Sequence, residues 1–359
     1  MPHTHLSFSN KLIPWYLENK REMPWRQTTN PYFIWLSEII LQQTRVAQGL
    51  PYYLKFTEIF PTLQDLAKAP EEQVLKLWQG LGYYSRARNL HAASKYVAYD
   101  CNGNFPNTYD DILKMKGVGD YTASAIASIC FNEPTAVVDG NVYRVLSRVF
   151  GIDTPINSTI GIKEFKTLSQ KLIDTKQPAT FNQAVMEFGA IQCKPQNPDC
   201  TLCVFNDQCV ALATNSISKL PVKINKTKIK HRYLHYLVLK SADQKTMLRQ
   251  RIGKGIWQGL YEFPFIEMET NQELPFVADG DRFRESETEH MELSTYTFTE
   301  VLRHNDTPII HKLSHQHLHT TFWTIDVPEL PDSAIPLADL KDFAVPVLIS
   351  NFINTFTSN

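Results

Sequence analysis

Four of the six cysteines of this chain, Cys193, Cys200, Cys203 and Cys209, lie within 17 residues of one another. The intervals between them are six, two and five residues. In a reducing compartment so tight a cluster is typical of four thiolates on one metal centre and not of a disulfide framework. Thiolates suit zinc and iron–sulfur clusters equally, so ligand softness leaves both open, although the six-residue interval departs from the short pairs of most zinc modules.

Two carboxylates stand where acid–base chemistry is possible. Glu38 lies in the mostly apolar segment 33–45, where burial would raise its pKa and let it serve as a general acid near neutral pH. The alternative is a solvated stripe, because Glu38, Gln42 and Arg45 recur at helical spacing. Asp139 follows two valines and precedes a predicted helix, so it is a helix N-cap, a functional carboxylate at a helix mouth, or both through its two oxygens.

A short glycine motif, Gly117, Val118 and Gly119, joins two predicted helices. Two glycines one residue apart allow a tight hairpin that leaves N–H groups of the second helix's first turn unpaired and pointing outward. Those groups and the positive end of the helix dipole can bind a phosphate without touching any base. A plain helix–helix turn is the alternative.

The elements that must position these groups change character along the chain. Through about residue 215 apolar residues recur at helical spacing, and Asn30 followed by Pro31 predicts a helix start before the run 32–46. Further helices are predicted over 56–67, 71–77, 85–99 and 108–115. Beyond Pro221 the pattern favours strands over 233–240 and 246–251 and over the alternating segment 312–327, which places Leu313, His315, His317 and His319 on one side.

Length and composition bound the possibilities. A chain of 359 residues is longer than a single hydrophobic core usually supports, so we expect two or three domains. A composition of 43% apolar and 20% charged residues excludes a disordered or collagen-like protein. No stretch approaches the roughly 20 consecutive apolar residues of a membrane span, so we expect a cytosolic protein without a membrane partner. Residues 216–232 carry six Lys or Arg and no Asp or Glu, which favours a basic linker or a phosphate-contacting strip.

Taken together, these motifs resemble the helix-hairpin-helix DNA glycosylases, and within them the adenine DNA glycosylases of the MutY family. The resemblance covers nearly all of residues 6–215. It rests on the segments MPWRQTTNPY (23–32), WLSEIILQQTRV (35–46), LWQGLGYYSRARNL (77–90), VVDGNV (137–142) and FNQAVMEFGA (181–190).

The resemblance implies a multidomain architecture, in which an all-α helix-hairpin-helix glycosylase core with an iron–sulfur module precedes a C-terminal α+β Nudix-like domain. The domains expected from it are a six-helix domain at 29–130, a helical iron–sulfur domain from 1–28 and 131–215, a basic linker at 216–232 and the Nudix-like domain at 233–359. The last lacks the closely spaced glutamates that a Nudix hydrolase needs for metal, so we expect no hydrolysis there.

The function implied is base-excision repair of double-stranded DNA by a monofunctional glycosylase, which hydrolyses the N-glycosidic bond of adenine mispaired with 8-oxoguanine or guanine. By resemblance Glu38 protonates nitrogen 7 of the flipped adenine, and Asp139 stabilises the oxocarbenium sugar. Tyr121 and Asn141 match pocket residues. The four cysteines match the ligands of one [4Fe–4S] cluster.

A second set of residues is expected to bind DNA. Gln43 and Tyr83 match residues that wedge into the duplex, and Ser314 and His315 match a recognition loop whose family pattern is Phe-Ser-His, with Leu313 in place of Phe. The full DNA-binding set predicted from the sequence is Arg26, Gln43, Tyr83, Gly117, Val118, Gly119, Ser314 and His315.

Two other functions remain open from the sequence. An endonuclease III-like glycosylase and lyase shares the hairpin, the Asp and the cluster, but carries a nucleophilic Lys where this chain has Tyr121, and without an amine no Schiff base forms. A non-catalytic, redox-tuned DNA-binding module would need neither Glu38 nor Asp139. The resemblance further implies a monomer in the bacterial cytoplasm, associated with the nucleoid through DNA.

Overall fold

The computed structural model of the protein describes residues 3–224, 228–272, 274 and 300–356. The chain forms two compact units, one of Met1–Ala69 with Asn89–Asn225 and one of Pro70–Arg88 with Lys226–Asn359. Segment Pro70–Arg88 therefore groups with the C-terminal unit, whereas the sequence placed it inside the six-helix domain 29–130. The iron–sulfur domain and the basic linker stay predictions.

Helices dominate the chain up to residue 213, as the apolar periodicity indicates. The described helices are α1 (His3–Asn19), α2 (Pro31–Leu41), α3 (Val46–Ile59), α4 (Leu63–Lys68), α5 (Glu71–Leu77), α6 (Ser85–Lys95), α7 (Tyr109–Leu113), α8 (Asp120–Phe131), α9 (Gly140–Phe150), α10 (Thr159–Leu172), α11 (Pro178–Glu187), α12 (Val210–Ala213) and, at the C-terminal end, α13 (Val347–Phe356).

Helix α2 begins where the sequence predicts and ends earlier. The Asn30 side chain accepts a hydrogen bond from the Tyr32 amide at 2.9 Å, and Pro31 occupies the first turn. The helix stops at Leu41 because Gln42 leaves the helical conformation, with ψ of 117°, and Gln43 follows in a left-handed conformation with φ of 54°. The predicted run 32–46 is wrong over 42–45, and Arg45 instead precedes α3 as its N-cap. A single solvated stripe from Glu38 to Arg45 is excluded, because the two residues lie in different elements.

Three other predicted helices differ from the structure, one by a break in its middle and two at their ends. The run 56–67 is broken at Pro61 into the end of α3 and the start of α4. Helix α6 ends at Lys95 and continues as a π-helical turn over Tyr96–Asp100. Helix α7 starts after Thr108, whose hydroxyl accepts from the Asp111 amide.

The first unit buries its core between α1, α8, α9, α10 and α11. Large apolar side chains fill it, among them Leu12, Val145, Phe165, Phe181 and Phe188. Phe188 packs edge-on against Trp15 at 4.8 Å between ring centroids. This packing fixes α9 and α11 against each other, so the N-terminus of α9 and the C-terminus of α11 are rigid platforms for polar side chains.

Among its described residues, the second unit contains a five-stranded sheet with the order β5-β1-β8-β6, in which β7 also pairs with β8. Its two longest strands, β1 and β8, run parallel at the centre, and the other three pair antiparallel. The described strands are β1 (Lys230–Ser241), β2 (Lys245–Thr246), β3 (Arg249–Gln250), β4 (Tyr261–Glu262), β5 (Phe265–Met268), β6 (Glu300–Arg303), β7 (Ile309–Lys312), β8 (Gln316–Val327) and β9 (Ile335–Pro336).

The alternating segment 312–327 is not one strand. Strand β7 ends at Lys312, β8 begins at Gln316, and the Leu313 amide donates to the Gln316 carbonyl at 2.8 Å. Leu313, Ser314 and His315 thus form the turn of a hairpin and do not share the sheet face with the residues that follow. Alternation alone could not show this, because a tight turn can preserve the apolar–polar order across it.

Segment Pro70–Arg88 is held in the second unit by specific polar contacts. The Gln79 amide nitrogen donates to the Ser350 hydroxyl of α13 at 2.9 Å, and the Lys76 ammonium donates to the Phe343 carbonyl at 2.9 Å. Arg88 donates to the Gln258 carbonyl at 2.5 Å. These bonds place the turn Gly80–Tyr84 beside the hairpin turn of β7 and β8.

Candidate active site

Glu38 projects from the middle of α2 into a region where protein atoms surround its carboxyl, although part of the side chain stays accessible. Burial raises the pKa of Glu38 to about 7, partly offset by a hydrogen bond with the Tyr121 phenol. Nearby Asp139 raises the pKa further, and Arg26 lowers it. Near neutral pH this carboxyl is therefore poised to carry a proton that it can give up.

Asp139 is the N-cap of α9 and leaves both of its oxygens engaged. Its Oδ1 accepts from the backbone amides of Asn141 at 2.9 Å and Val142 at 2.8 Å, while Oδ2 accepts from the Asn141 side chain at 2.8 Å. Burial raises the pKa of Asp139, and these three hydrogen bonds act against that rise. The two interpretations of Asp139 are thus compatible, since the cap holds a carboxylate at a fixed place beside Glu38.

Tyr121 lies in the first turn of α8 and closes the site on another side. Its hydroxyl lies 3.2 Å from the sulfur of Met186 in α11 and is hydrogen-bonded to Glu38. Burial and the two neighbouring carboxyls raise the pKa of Tyr121 well above its ordinary value. A phenol that stays protonated can donate to Glu38, and it offers no amine to a sugar aldehyde.

Asn141 is fixed from behind by an arginine on the next turn of α9. Arg144 donates to the Asn141 side-chain oxygen at 2.9 Å, to the Gly189 carbonyl at 2.6 Å and to the Cys193 carbonyl at 2.8 Å. Since the Asn141 oxygen is occupied, its amide nitrogen is the group that faces Asp139. Hydrogen bonds through Asn141 and Arg144 therefore connect Asp139 to the backbone of Cys193, the first of the four clustered cysteines.

Arg26 is oriented by a buried carboxylate that the sequence analysis did not identify. Glu187, 1% exposed at the end of α11, accepts from Arg26 at 2.8 Å and from two nitrogens of Arg21 at 2.7 and 2.8 Å. These bonds outweigh the effect of burial and lower the pKa of Glu187 to about 2. The only signal in the sequence was its place in the segment 181–190, where an isolated Glu gives no sign of burial.

The first unit thus combines two carboxyls in different electrostatic settings. Glu38 has few hydrogen bonds to stabilise its charge, whereas Asp139 has three donors in fixed positions. A carboxyl with its pKa raised to about 7, beside a second carboxyl held by three fixed hydrogen-bond donors, is an arrangement that suits protonation of a leaving group and stabilisation of a cation.

The glycine motif forms the turn between α7 and α8. Gly117 has φ of 79°, and a Cβ there would lie 2.6 Å from the Cβ of Asn89, so only glycine fits. Val118 is buried. Gly119 is the N-cap of α8, has no side-chain cap and has open space where a Cβ would stand. The first turn of α8 is therefore accessible to an anion.

The second unit contains the other group of predicted residues. A cavity of about 460 Å³ is lined by the turn around Tyr83 and by the hairpin turn with Ser314 and His315, and Trp257 forms part of its wall. The hydroxyls of Tyr83 and Ser314 are hydrogen-bonded. Tyr83 has φ of 48° and an exposed ring. The structure brings these three residues together, although 231 positions separate Tyr83 from Ser314.

Gln43 lies in the first unit, exposed on the short loop between α2 and α3. Its backbone is left-handed, like that of Tyr83, with φ of 54°. Such conformations are uncommon for residues other than glycine and often mark functional positions.

The four clustered cysteines of the first unit surround one small cavity, together with the side chains of Val149 and Phe188. They are Cys193, Cys200, Cys203 and Cys209. Arg148 donates toward the Cys193 sulfur at 3.5 Å, and the Phe205 amide toward the Cys203 sulfur at 3.4 Å. Within the described residues, no three His, Cys, Asp or Glu side chains are arranged to hold a single metal ion.

Comparison with known proteins defines the class. Residues 36–171 match the family model described as the HhH-GPD superfamily of base excision DNA repair proteins, and residues 235–355 match a NUDIX domain model. The fold and the site therefore define a helix-hairpin-helix base-excision repair enzyme with a C-terminal Nudix domain.

Individual relatives identify the family. An adenine DNA glycosylase of Buchnera aphidicola subsp. Baizongia pistaciae is 36% identical over 266 residues, which cover 73% of this chain and 74% of the relative. The Homo sapiens adenine DNA glycosylase is 42% identical over 60% of this chain and 43% of its own length. This chain belongs to the adenine DNA glycosylases, enzymes that hydrolyse N-glycosyl bonds.

Solved structures agree on the fold of the helical part. A thermostable thymine-DNA glycosylase is 29% identical, with a TM-score of 0.55 over 58% of this chain and 97% of that chain. A non-covalent endonuclease III–DNA complex is 22% identical, with a TM-score of 0.51 over 59% of this chain and 98% of that chain, and it supports the fold alone. No described helix of this chain has the length and apolarity to cross a membrane.

Proposed function

We propose that this enzyme removes adenine mispaired with 8-oxoguanine or guanine in double-stranded DNA, by hydrolysis and without strand cleavage. The observation that carries the proposal is the pair of carboxyls in the first unit, Glu38 with its pKa raised to about 7 and Asp139 fixed at the N-terminus of α9. A mispaired adenine costs less to extrude from the duplex than a paired one, which favours its entry into the site.

The two carboxyls divide the reaction between them. Protonated Glu38 donates to nitrogen 7 of the extruded adenine, so that the base departs as a neutral leaving group. As the glycosidic bond breaks, Asp139 stabilises the positive charge of the oxocarbenium sugar. Glu38, now ionised, assists the attack of water on the sugar. Asn141 keeps the Asp139 carboxylate in place, and Tyr121 donates to Glu38.

Hydrolysis without lyase activity is supported by the residue at position 121. Strand cleavage through a Schiff base needs an amine on the enzyme. Tyr121 supplies a phenol, hydrogen-bonded within the site. We therefore propose that borohydride traps no covalent complex at this site.

Recognition of the opposite base is assigned to the second unit. The cavity between Tyr83 and Ser314 has a volume of about 460 Å³, within the range of small-molecule sites, and offers an aromatic ring, a hydroxyl and an imidazole. An aromatic ring can stack on a base, and polar groups read its edge. We also propose that the α7–α8 hairpin, at Gly117 to Gly119, binds a backbone phosphate.

The cysteine cluster fits one [4Fe–4S] group. Cys193, Cys200, Cys203 and Cys209 would hold it, and when bound the group supplies a cross-link between the ends of the segment 193–209. In that position it fixes the segment on which the carbonyl contacts of Arg144 and Arg148 depend. We expect about four irons per chain in purified protein. Metal analysis that finds one zinc per chain instead would refute the cluster assignment and leave the catalytic roles of Glu38 and Asp139 unaffected.

The test of the proposed function is a single-turnover assay on duplexes with A:8-oxoguanine, A:G and A:T pairs. We expect adenine release from the first two, intact strands before alkali treatment, and no adduct with borohydride. Release of no base with retained binding would favour the non-catalytic module. Strand cleavage with a trapped adduct would favour a lyase.

A further inference from the structure

One residue beside the α7–α8 hairpin carries a charge that opposes the role proposed for that turn. Asp120 follows Gly119 directly and is the first residue of α8, so its carboxylate belongs to the helix turn whose N–H groups would receive a backbone phosphate. Its side chain is 51% exposed. A free carboxylate here would repel a phosphate and compete with it for the positive end of the helix dipole. The hairpin therefore needs a compensating positive charge.

A lysine from a helix far along the chain supplies that charge. The ammonium of Lys166, in α10, donates to Asp120 Oδ2 at 3.0 Å, to the Ser124 hydroxyl at 3.0 Å and to the Ala136 carbonyl at 2.8 Å. An ammonium has three protons, and these three acceptors match them. Lys166 is thus held in one position with 30% of its side chain exposed, and salt screens such a partly shielded pair less than a fully exposed one.

The second oxygen of the Asp120 carboxylate is also held by the protein. The Tyr109 hydroxyl, at the start of α7, donates to Asp120 Oδ1 at 2.6 Å. Burial and this hydrogen bond raise the pKa of Tyr109 to about 12, so the phenol stays protonated and remains a donor. The Lys166 ammonium lies 5.8 Å from the centroid of the Tyr109 ring, which adds a cation–π contact to the same cluster.

A comparison with Asp139 shows what this arrangement leaves available. Asp139 caps its own helix and accepts from two amides of α9. In the part of the chain that the structure describes, the hydrogen bonds accepted by the Asp120 carboxylate come from Tyr109 and Lys166 alone. The carboxylate nearest the N-terminus of α8 therefore does not use the amides of that helix, and they remain available to an anion.

We propose, on the basis of the phosphate contact proposed above for Gly117 to Gly119, that Lys166 is a positioning residue for DNA binding. It holds the Asp120 carboxylate so that this group neither repels the phosphate nor caps α8. Lys166 acts through Asp120 and not by contact with DNA. This distinguishes it from a lysine that pairs with phosphate directly, whose removal weakens binding whatever residue stands at position 120.

The test is a double-mutant cycle of Lys166→Met and Asp120→Asn in the full-length protein. The probe is a duplex with 2′-fluoro-2′-deoxyadenosine opposite 8-oxoguanine, which stays intact because fluorine destabilises the oxocarbenium sugar. Equilibrium binding is measured near 0.1 M salt, where charges more than about 10 Å apart are largely screened. Lys166→Met should weaken binding by about three- to tenfold and reduce its salt dependence by about one charge.

The second substitution should cancel that loss. Asp120→Asn alone should bind within about twofold of wild type, and Lys166→Met should cost less than about twofold in the Asp120→Asn background, because no carboxylate is left to hold. Lys166→Arg, which keeps a cation for Asp120, should bind like wild type. A purely structural role of Lys166 would not give this suppression, since Asp120→Asn removes a further native contact.

Two further variants serve as controls. Lys11→Met breaks an ion pair of similar exposure, 33% for Lys11 and 63% for Asp207, and should leave affinity unchanged. Gly119→Asp tests the hairpin itself. A Cβ at Gly119 meets open space and aspartate is a good N-cap, so the fold should persist while a carboxylate enters the phosphate position. Its binding should fall at least as far as that of Lys166→Met.

The outcomes separate this inference from the contact on which it rests. Wild-type affinity in Gly119→Asp would refute the phosphate contact and the inference with it. Weakened binding in Gly119→Asp with unchanged affinity in Lys166→Met would overturn the inference alone. An equal loss from Lys166→Met in both Asp120 backgrounds would also overturn it, because Lys166 would then meet DNA directly or, if the melting temperature fell in parallel, serve the fold only.

Discussion

The carboxyl site of the first unit and the Tyr83–Ser314 cavity of the second unit differ in the solvent exposure of their polar groups, as their different proposed roles require. Glu38 and Asp139 are half-buried with their carboxyls surrounded by protein atoms, and burial raises the pKa of both. Ser314 and His315 are exposed on a two-strand turn and form few bonds to their surroundings. Cleavage of a bond by acid–base catalysis needs groups whose pKa the protein controls through burial. Recognition of a base needs exposed polar groups that can form hydrogen bonds with its edge.

That difference predicts unequal costs of substitution. Removing an enclosed acid takes away a proton that nothing else in the site supplies. Removing an exposed hydroxyl or imidazole takes away one of several contacts. We therefore expect the largest loss of activity on substitution of Glu38, and smaller losses on substitution of residues in the second unit.

Glu38→Gln should reduce adenine excision by about 10²–10⁴-fold, the usual contribution of a general acid, because an amide fills the space but has no proton to give. Duplex affinity should change little. Single-turnover rates and binding on the same A:8-oxoguanine duplex measure both, with Glu58→Gln on the exposed side of α3 as control. A rate within tenfold of wild type would remove Glu38 from the role of acid.

Asp139→Asn separates the cap of α9 from catalysis. Asparagine caps helices as well as aspartate, so the free energy of unfolding should stay within about 0.5 kcal/mol of wild type. The excision rate should fall by about 10²–10³-fold, because the cationic sugar loses its counter-charge. Asp139→Ala should add a loss of about 1 kcal/mol in denaturant unfolding. Equal rates for wild type and the Asn variant would leave Asp139 with a structural role only.

Ser314→Ala combined with His315→Ala should lower the preference for A:8-oxoguanine over A:G by about 1 to 3 kcal/mol, the range for lost polar readout of a base. The rate on A:G should be nearly unchanged, since the carboxyl site is intact. Rates and affinities on both duplexes at one salt concentration measure it, and Ser333→Ala provides an exposed control in the same unit. An unchanged ratio would move lesion recognition out of this turn.

The pH dependence gives the finest test. Glu38 must be protonated, and its pKa is raised to about 7, so the single-turnover rate should fall as pH rises above that value, by about tenfold per unit. Asp139 must be ionised, so the rate should also fall on the acid side. Arg26 lowers the pKa of Glu38, and Glu187→Gln removes the negative charge that compensates Arg26 while the Arg21 carbonyl still holds the guanidinium, so the basic limb should move to lower pH. A basic limb that stays in place would mean that Glu187 serves packing alone.

Much of the architecture could be predicted from local pattern. The Asn30 cap, the glycine hairpin and the change from helices to strands are encoded in short segments, and the structure confirms them. The C-terminal end of α2 and the hairpin at Leu313 to His315 were not predictable in the same way. They depend on single backbone conformations, such as the positive φ of Gln43, that apolar periodicity does not register.

The sequence by itself determined which chemical groups are available: two carboxyls in defined surroundings, a Gly-x-Gly turn and four cysteines at fixed intervals. Tertiary structure alone decided their state. The raised pKa of Glu38, the fixing of Arg26 by Glu187 and the pairing of Tyr83 with Ser314 all join residues far apart in the chain. Desolvation and Coulomb interactions depend on distance through space and on exclusion of water, and neither is defined until the helices and strands have packed.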